Sequence, residues 1–161
     1  EKMGYSTFTK HAAEAGVDGV LVVDLPPEEG HDFLLEMKAN NLDSVYLIAP
    51  TTTDDRIKTI CDASSGYVYY VSVKGVTGSA SLDVASVAEK LSIIREKSDI
   101  PVGVGFGIRD AESAAAVSDV ADGVIVGSVI VNTIAENVDD HAAIISKVGN
   151  LVSSMRQAMD V

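Results

Sequence analysis

Five short, β-branched apolar runs alternate with longer amphipathic stretches, and no linker interrupts them, so the sequence predicts an α/β fold of parallel βα units. The chain opens on a helix over 5–15, with Ser6 as its expected cap and Gly16 as its stop. Gly19-Val20-Leu21-Val22-Val23 reads as the first strand, a helix follows over 29–40, and Ser44-Val45-Tyr46-Leu47-Ile48-Ala49 reads as the second strand. Asp54 marks the start of a helix over 54–63, and Gly66 punctuates the turn into the strand Tyr67-Val68-Tyr69-Tyr70-Val71. A helix over 84–97 then leads to the strand Val102-Gly103-Val104-Gly105, and Asp110 caps a helix over 110–119. Gly123-Val124-Ile125-Val126 is the last strand, before helices over 128–137 and 140–158. All five strands are nearly continuously apolar, which predicts burial on both faces.

Composition narrows the function classes. The 161 residues are 47% hydrophobic and 22% charged, enough apolar surface for one domain over 1–161. A net charge of −12 repels nucleic-acid backbones and anionic membranes, so neither is an expected partner. No apolar run reaches the ~20 residues of a membrane span, and no signal region follows Glu1. Cys61 is the sole cysteine, so no intrachain disulfide forms and a reducing cytoplasm is the simplest compartment. His11, His31 and His141 share no ligand spacing with carboxylates or with Cys61, and no metal site is expected. Cys61 reads as a packed small side chain, and the helical Met and Leu residues near the C-terminus read as core. The chain begins without Met and runs straight into a helix, which suggests that an N-terminal portion is absent.

Five βα units suit either an open doubly wound sheet or part of a closed eight-stranded barrel, and the glycines decide between them. Ser72 to Ser81 after the third strand is long and rich in small residues, as a lid would be. Phe106-Gly107-Ile108 follows the fourth strand and Gly127-Ser128 the fifth, each at a helix start. Backbone N–H groups and helix dipoles converging there would hold a phosphate, and a phosphate site after late strands is a barrel pattern. Glycines at strand ends also serve tight turns, but their joint placement favours an anion site. A dinucleotide fold would place its G-x-G-x-x-G after the first strand. Here Gly103-Val104-Gly105 would need glycine at 108, which is Ile, so that reading fails.

On Gly16 through Glu29, Gly75-Val76-Thr77-Gly78, Gly105-Phe106-Gly107-Ile108 and Gly127-Ser128-Val129-Ile130-Val131, the sequence resembles the tryptophan synthase alpha subunit family. The resemblance runs along essentially the whole chain but covers only the family's region from its third helix onward. It implies a parallel (β/α)8 TIM barrel of which about five C-terminal βα units are present, the first three strands being absent. It also implies a carbon–carbon lyase that cleaves indole-3-glycerol phosphate to indole and glyceraldehyde 3-phosphate. Indole then passes to a beta subunit, which carries the pyridoxal phosphate, so this chain has no cofactor of its own.

The family's catalytic glutamate and aspartate lie on and after its second strand, so the resemblance assigns no catalytic residue to this chain, and the isolated chain is expected to be inactive. It assigns the substrate phosphate to Gly78, Phe106, Gly107, Gly127 and Ser128. Tyr69 matches a wall of the indole pocket and Thr77 the threonine of the lid. Leu21 and Ile125 read either as pocket walls or as core strand residues. Asp24 stands at a strand's C-terminal end in a positioning role, although Asp-Leu-Pro also suits a simple turn. Pro26-Pro27-Glu28-Glu29 resembles the loop that communicates with the beta subunit, and equally an acidic helix start after prolines. Two other readings stay open: a different phosphate-binding barrel enzyme, and a noncatalytic module that binds a beta subunit. A partial barrel exposes apolar faces and strand edges, which predicts association of the isolated chain.

Overall fold

A computed structural model describes residues 2–72, 83–105 and 107–160. The elements alternate as the apolar pattern requires: α1 (Tyr5–Glu14), β1 (Gly19–Leu21), α2 (His31–Ala39), β2 (Asp43–Ile48), α3 (Asp54–Ala63) and β3 (Val68–Val71). After these come α4 (Val84–Arg95), β4 (Val102–Gly105), α5 (Ala111–Ser118), β5 (Gly123–Ile125), α6 (Ser128–Ala135) and α7 (His141–Met159). None of the described helices is long and apolar enough to cross a membrane.

The chain divides into two compact units, Glu1–Tyr69 with Ile93–Pro101, and Tyr70–Ser92 with Val102–Val161. Strand order follows chain order, with β1, β2 and the first half of β3 in the first unit and the rest of β3, β4 and β5 in the second. β1 pairs with β2 and β4 with β5 in parallel: Gly19 stands opposite Asp43 and Leu21 opposite Val45, while Gly103 stands opposite Gly123 and Gly105 opposite Ile125. A crossover helix between successive strands is what lets neighbouring strands run parallel.

In the first unit Phe33, Met37 and Leu42 form a cluster on which Tyr5, Val20, Val22 and Leu25 pack, with the Tyr5 ring 5.1 Å from that of Phe33. Ile48 and Ile57 are fully enclosed. In the second unit Val102, Val104, Ala114 and Val117 are fully enclosed, and α5 packs on α7, where Met155 is buried. Burial on both faces holds for β4 and nearly for β2, but β1 and β5 are only partly covered. Each of these two has a neighbouring strand on one side alone. Val131, Ile134, Val138, Ile145 and Val152, on or near α6 and α7, remain exposed.

Helix ends show which sequence signals were local. Gly16, at φ +83°, closes α1: its N–H bonds to Ala13 O and that of Val17 to Ala12 O, the paired bonds of a Schellman motif. Asn41, at φ 55°, closes α2 in the same way, through Asn41 N–H to Lys38 O and Leu42 N–H to Met37 O. Ser6 is not the cap of α1. Gly4 takes that place, and Ser6 lies in the first turn, its carbonyl accepting from Thr9 Oγ1 at 3.2 Å. Asp54 is likewise the first residue of α3 rather than its cap, and with Asp55 it sets negative charge against the helix dipole. β1 stops at Leu21, short of Val23, and α2 starts at His31 because residues 26–30 make a turn, with Glu29 N–H on Pro26 O and Gly30 N–H on Pro27 O.

Candidate functional site

Parallel pairing of β4 with β5 fixes the first part of the site. The last paired residues are Gly105 and Ile125, so the loops that follow leave neighbouring strands at the same level. Adjacent strands lie about 4.8 Å apart. Ser72, just past β3, joins this row, donating from both its N–H and its hydroxyl to Gly105 O at 3.0 Å. Gly107 sits two residues beyond β4 and Gly127 two residues beyond β5, and both are exposed. Gly107 adopts φ +80°, a left-handed turn that an L side chain resists.

The two helix starts behind these loops are not equivalent. α5 fills its own N-terminus: Asp110 accepts from Ser113 N–H at 2.8 Å, and the Ser113 hydroxyl reaches back to Asp110 N–H, a complete capping box. The Ser113 hydroxyl also donates to Asp110 Oδ1 at 2.6 Å, and this bond first, then that from Ser113 N–H, holds the Asp110 carboxyl below its ordinary range, with Arg109 adding a smaller push. α6 starts on Gly127, with no side-chain cap among the described residues. Its third N–H, from Ile130, turns back to Gly127 O, and Ser128 is exposed at the first helical position. An anion placed at this end meets N–H donors, the positive end of the α6 dipole and a serine hydroxyl.

In the first unit Leu21 ends β1 and is 37% exposed, so it is no part of the enclosed core. Asp24 occupies an exposed turn and lines a cavity of about 270 Å3 together with Pro26, Pro27, Leu47, Thr52 and Arg56. Tyr69 lies half-buried on β3; burial pushes its phenol pKa up, and the nearby Tyr67 adds to this. Ile125 is half-buried at the end of β5. Thr77, Gly78 and Phe106 fall outside the described residues.

Arg56 and Tyr46 also line this cavity, and sequence reasoning singled out neither. Arg56 reaches Glu28, 28 positions earlier, with Nη1 2.6 Å from Oε1, a contact invisible to any local spacing. Alternation along β2 does put Tyr46 and Ile48 on one face, which was the available hint for Tyr46. Cys61 is buried on α3, and burial raises its thiol pKa. Among the described residues no three His, Cys, Asp or Glu side chains gather as a metal site would need.

Comparison with known proteins gives one consistent result. A family model described as tryptophan synthase alpha chain matches residues 1–160. The tryptophan synthase alpha chain of Thioalkalivibrio sulfidiphilus (strain HL-EbGR7) is 59% identical over 160 residues, which is 99% of this chain and 60% of that protein. The corresponding chain of Marinobacter nauticus is 58% identical and covered to 59%. Among solved structures, tryptophan synthase subunit alpha from Legionella pneumophila str. Paris superposes with TM-score 0.85 at 38% identity, over 99% of this chain and 58% of that one. The tryptophan synthase α2β2 complex of Pyrococcus furiosus matches with TM-score 0.84 at 31% identity, over 97% of this chain and 62% of the matched chain. This chain thus spans about 60% of the length of the curated relatives it matches.

Proposed function

This chain belongs to the tryptophan synthase alpha chain family, with the parallel strands of its (β/α)8 barrel fold, and from that premise we propose that it forms the C-terminal part of a lyase. The complete protein cleaves indole-3-glycerol phosphate to indole and glyceraldehyde 3-phosphate, and residues 1–161 are one partial barrel domain within it. The observation that carries this reading is the level pairing of Gly105 with Ile125, which supports a phosphate seat between Gly107 and the uncapped start of α6.

Gly107, Gly127 and Ser128, with Gly78 and Phe106, take the substrate phosphate, and Thr77 belongs to the lid over it. Tyr69, Leu21 and Ile125 serve the indole side, and Asp24 positions rather than reacts. Breaking the carbon–carbon bond requires a proton delivered to the indole ring and one removed from the side-chain hydroxyl. No residue of this chain is assigned either task, so the chain binds and orients substrate but does not turn it over alone. It needs no cofactor of its own. A beta subunit holding pyridoxal phosphate is its partner, a reading supported by the α2β2 assembly of the Pyrococcus furiosus relative.

Calorimetric titration with indole-3-glycerol phosphate is the direct test. The chain should bind the ester without releasing indole, and turnover should appear when the family's N-terminal part, with its first three strands, is supplied in trans. Indole release by the chain alone, or no affinity for the ester, would overturn the proposal.

A further inference from the structure

The turn after β1 is tied to the rest of its unit at two points. Gly30, at its far end, lies over Tyr46: a Cβ there would stand 2.8 Å from the Tyr46 hydroxyl, and Tyr46 itself is buried. At the outer side Glu28 meets Arg56 of α3 through both carboxylate oxygens, Nη1 to Oε1 at 2.6 Å and Nη2 to Oε2 at 3.4 Å. Between these ties lies the cavity that Asp24, Pro26, Pro27 and Arg56 line. Arg56 holds the Glu28 carboxyl below its ordinary range, and the Glu28 charge adds to burial in raising the Tyr46 phenol.

We propose that Glu28 and Arg56 are positioning residues, an ionic clasp that holds the turn over Asp24–Pro27 against α3 and so sets the mouth of this cavity. A bidentate guanidinium–carboxylate fork fixes orientation as well as distance, which a single point contact does not. About half of each side chain is exposed, so the clasp is weak and open to screening. The two prolines remove local freedom between Asp24 and Glu28, so a displacement at Glu28 is passed along the turn to Asp24 rather than absorbed. This inference stands without any assignment of substrate to the cavity.

Hydrogen exchange read by mass spectrometry on the full 161-residue chain tests it. Glu28→Gln and Arg56→Gln should each speed exchange of the 22–30 segment by about two- to fivefold, the range an exposed ion pair supports. Exchange of the enclosed turn of α3 around Ile57 should not change. The exchanged pair, Glu28→Arg with Arg56→Glu, should return the segment to its original rate, and 0.5 M NaCl should bring the unaltered chain toward the single variants. Unchanged exchange in both single variants, or an exchanged pair as fast as either of them, would overturn the clasp.

Discussion

Replacing Gly127 by Asp would give α6 the cap that α5 already has, and the consequence can be worked through. Among the described residues a Cβ at Gly127 meets no atom within 4 Å, so the side chain enters without a clash there. At the N-cap position its carboxylate accepts from the first turn of α6, a gain of a few tenths of a kcal/mol over glycine. The same carboxylate then stands where the proposed phosphate would. Two unit charges about 5 Å apart in water repel by about 0.8 kcal/mol. A phosphate ester near −2 therefore loses about 1.6 kcal/mol, or about 15-fold in Kd, before any N–H donor is lost. Gly127→Asn separates the effects, since it caps without charge and should weaken binding less. Titration calorimetry with indole-3-glycerol phosphate, paired with thermal melts, reads both sides. Unaltered affinity in Gly127→Asp would refute the reasoning, as would a loss in Asn equal to that in Asp. A chain that binds no ester in its unaltered form would remove the site itself.

Three further outcomes follow from local geometry. Gly16→Ala has open space for its methyl group, so its cost is the left-handed backbone, about 1–2 kcal/mol, less the roughly 0.4–1 kcal/mol gained by stiffening the unfolded chain; the melt should show a net loss of about 1 kcal/mol. Asp110 has a folded pKa below its ordinary 3.8, so its contribution to α5 is fully present above that value and fades as pH falls below it toward the folded pKa; amide exchange at Ser113 should rise over that interval, and Asp110→Asn should flatten the dependence. Burial raises the Cys61 thiol, so a disulfide reagent near pH 8 should label it at least about tenfold more slowly in the native chain than in denaturant. Equal labelling rates would place Cys61 at the surface.

Much of the fold was legible because its signals are local. β-Branched runs located all five strands, and Asp110 is the N-cap that the sequence marked, with a capping box to Ser113 added by the structure. What failed depended either on strand pairing or on turn bonds that composition does not display. Val22 and Val23 are as apolar as Leu21, but β1 pairs only over Gly19–Leu21, so composition could not place its end. Glu28 and Glu29 after two prolines resemble a helix start, yet the turn bonds at Glu29 and Gly30 delay α2 to His31. The late glycines pointed to the strand ends that the register brings level. That one helix start caps itself while the other does not was also written in Asp110 against Gly127, once the caps are compared. Arg56 at the cavity was not legible, because only the folded chain brings it to Glu28.

No side chain of α6 is deeply buried, and the helix lacks a cap of its own. Such an element opens at little free-energy cost compared with the core strands. A ligand that supplies the missing acceptor at its first turn therefore also fastens it, and occupancy becomes readable as protection. Saturating phosphate ester should slow exchange in α6 while leaving the self-capped α5 as it was, so that the dynamics of α6 report directly on the filling of the seat at its own N-terminus.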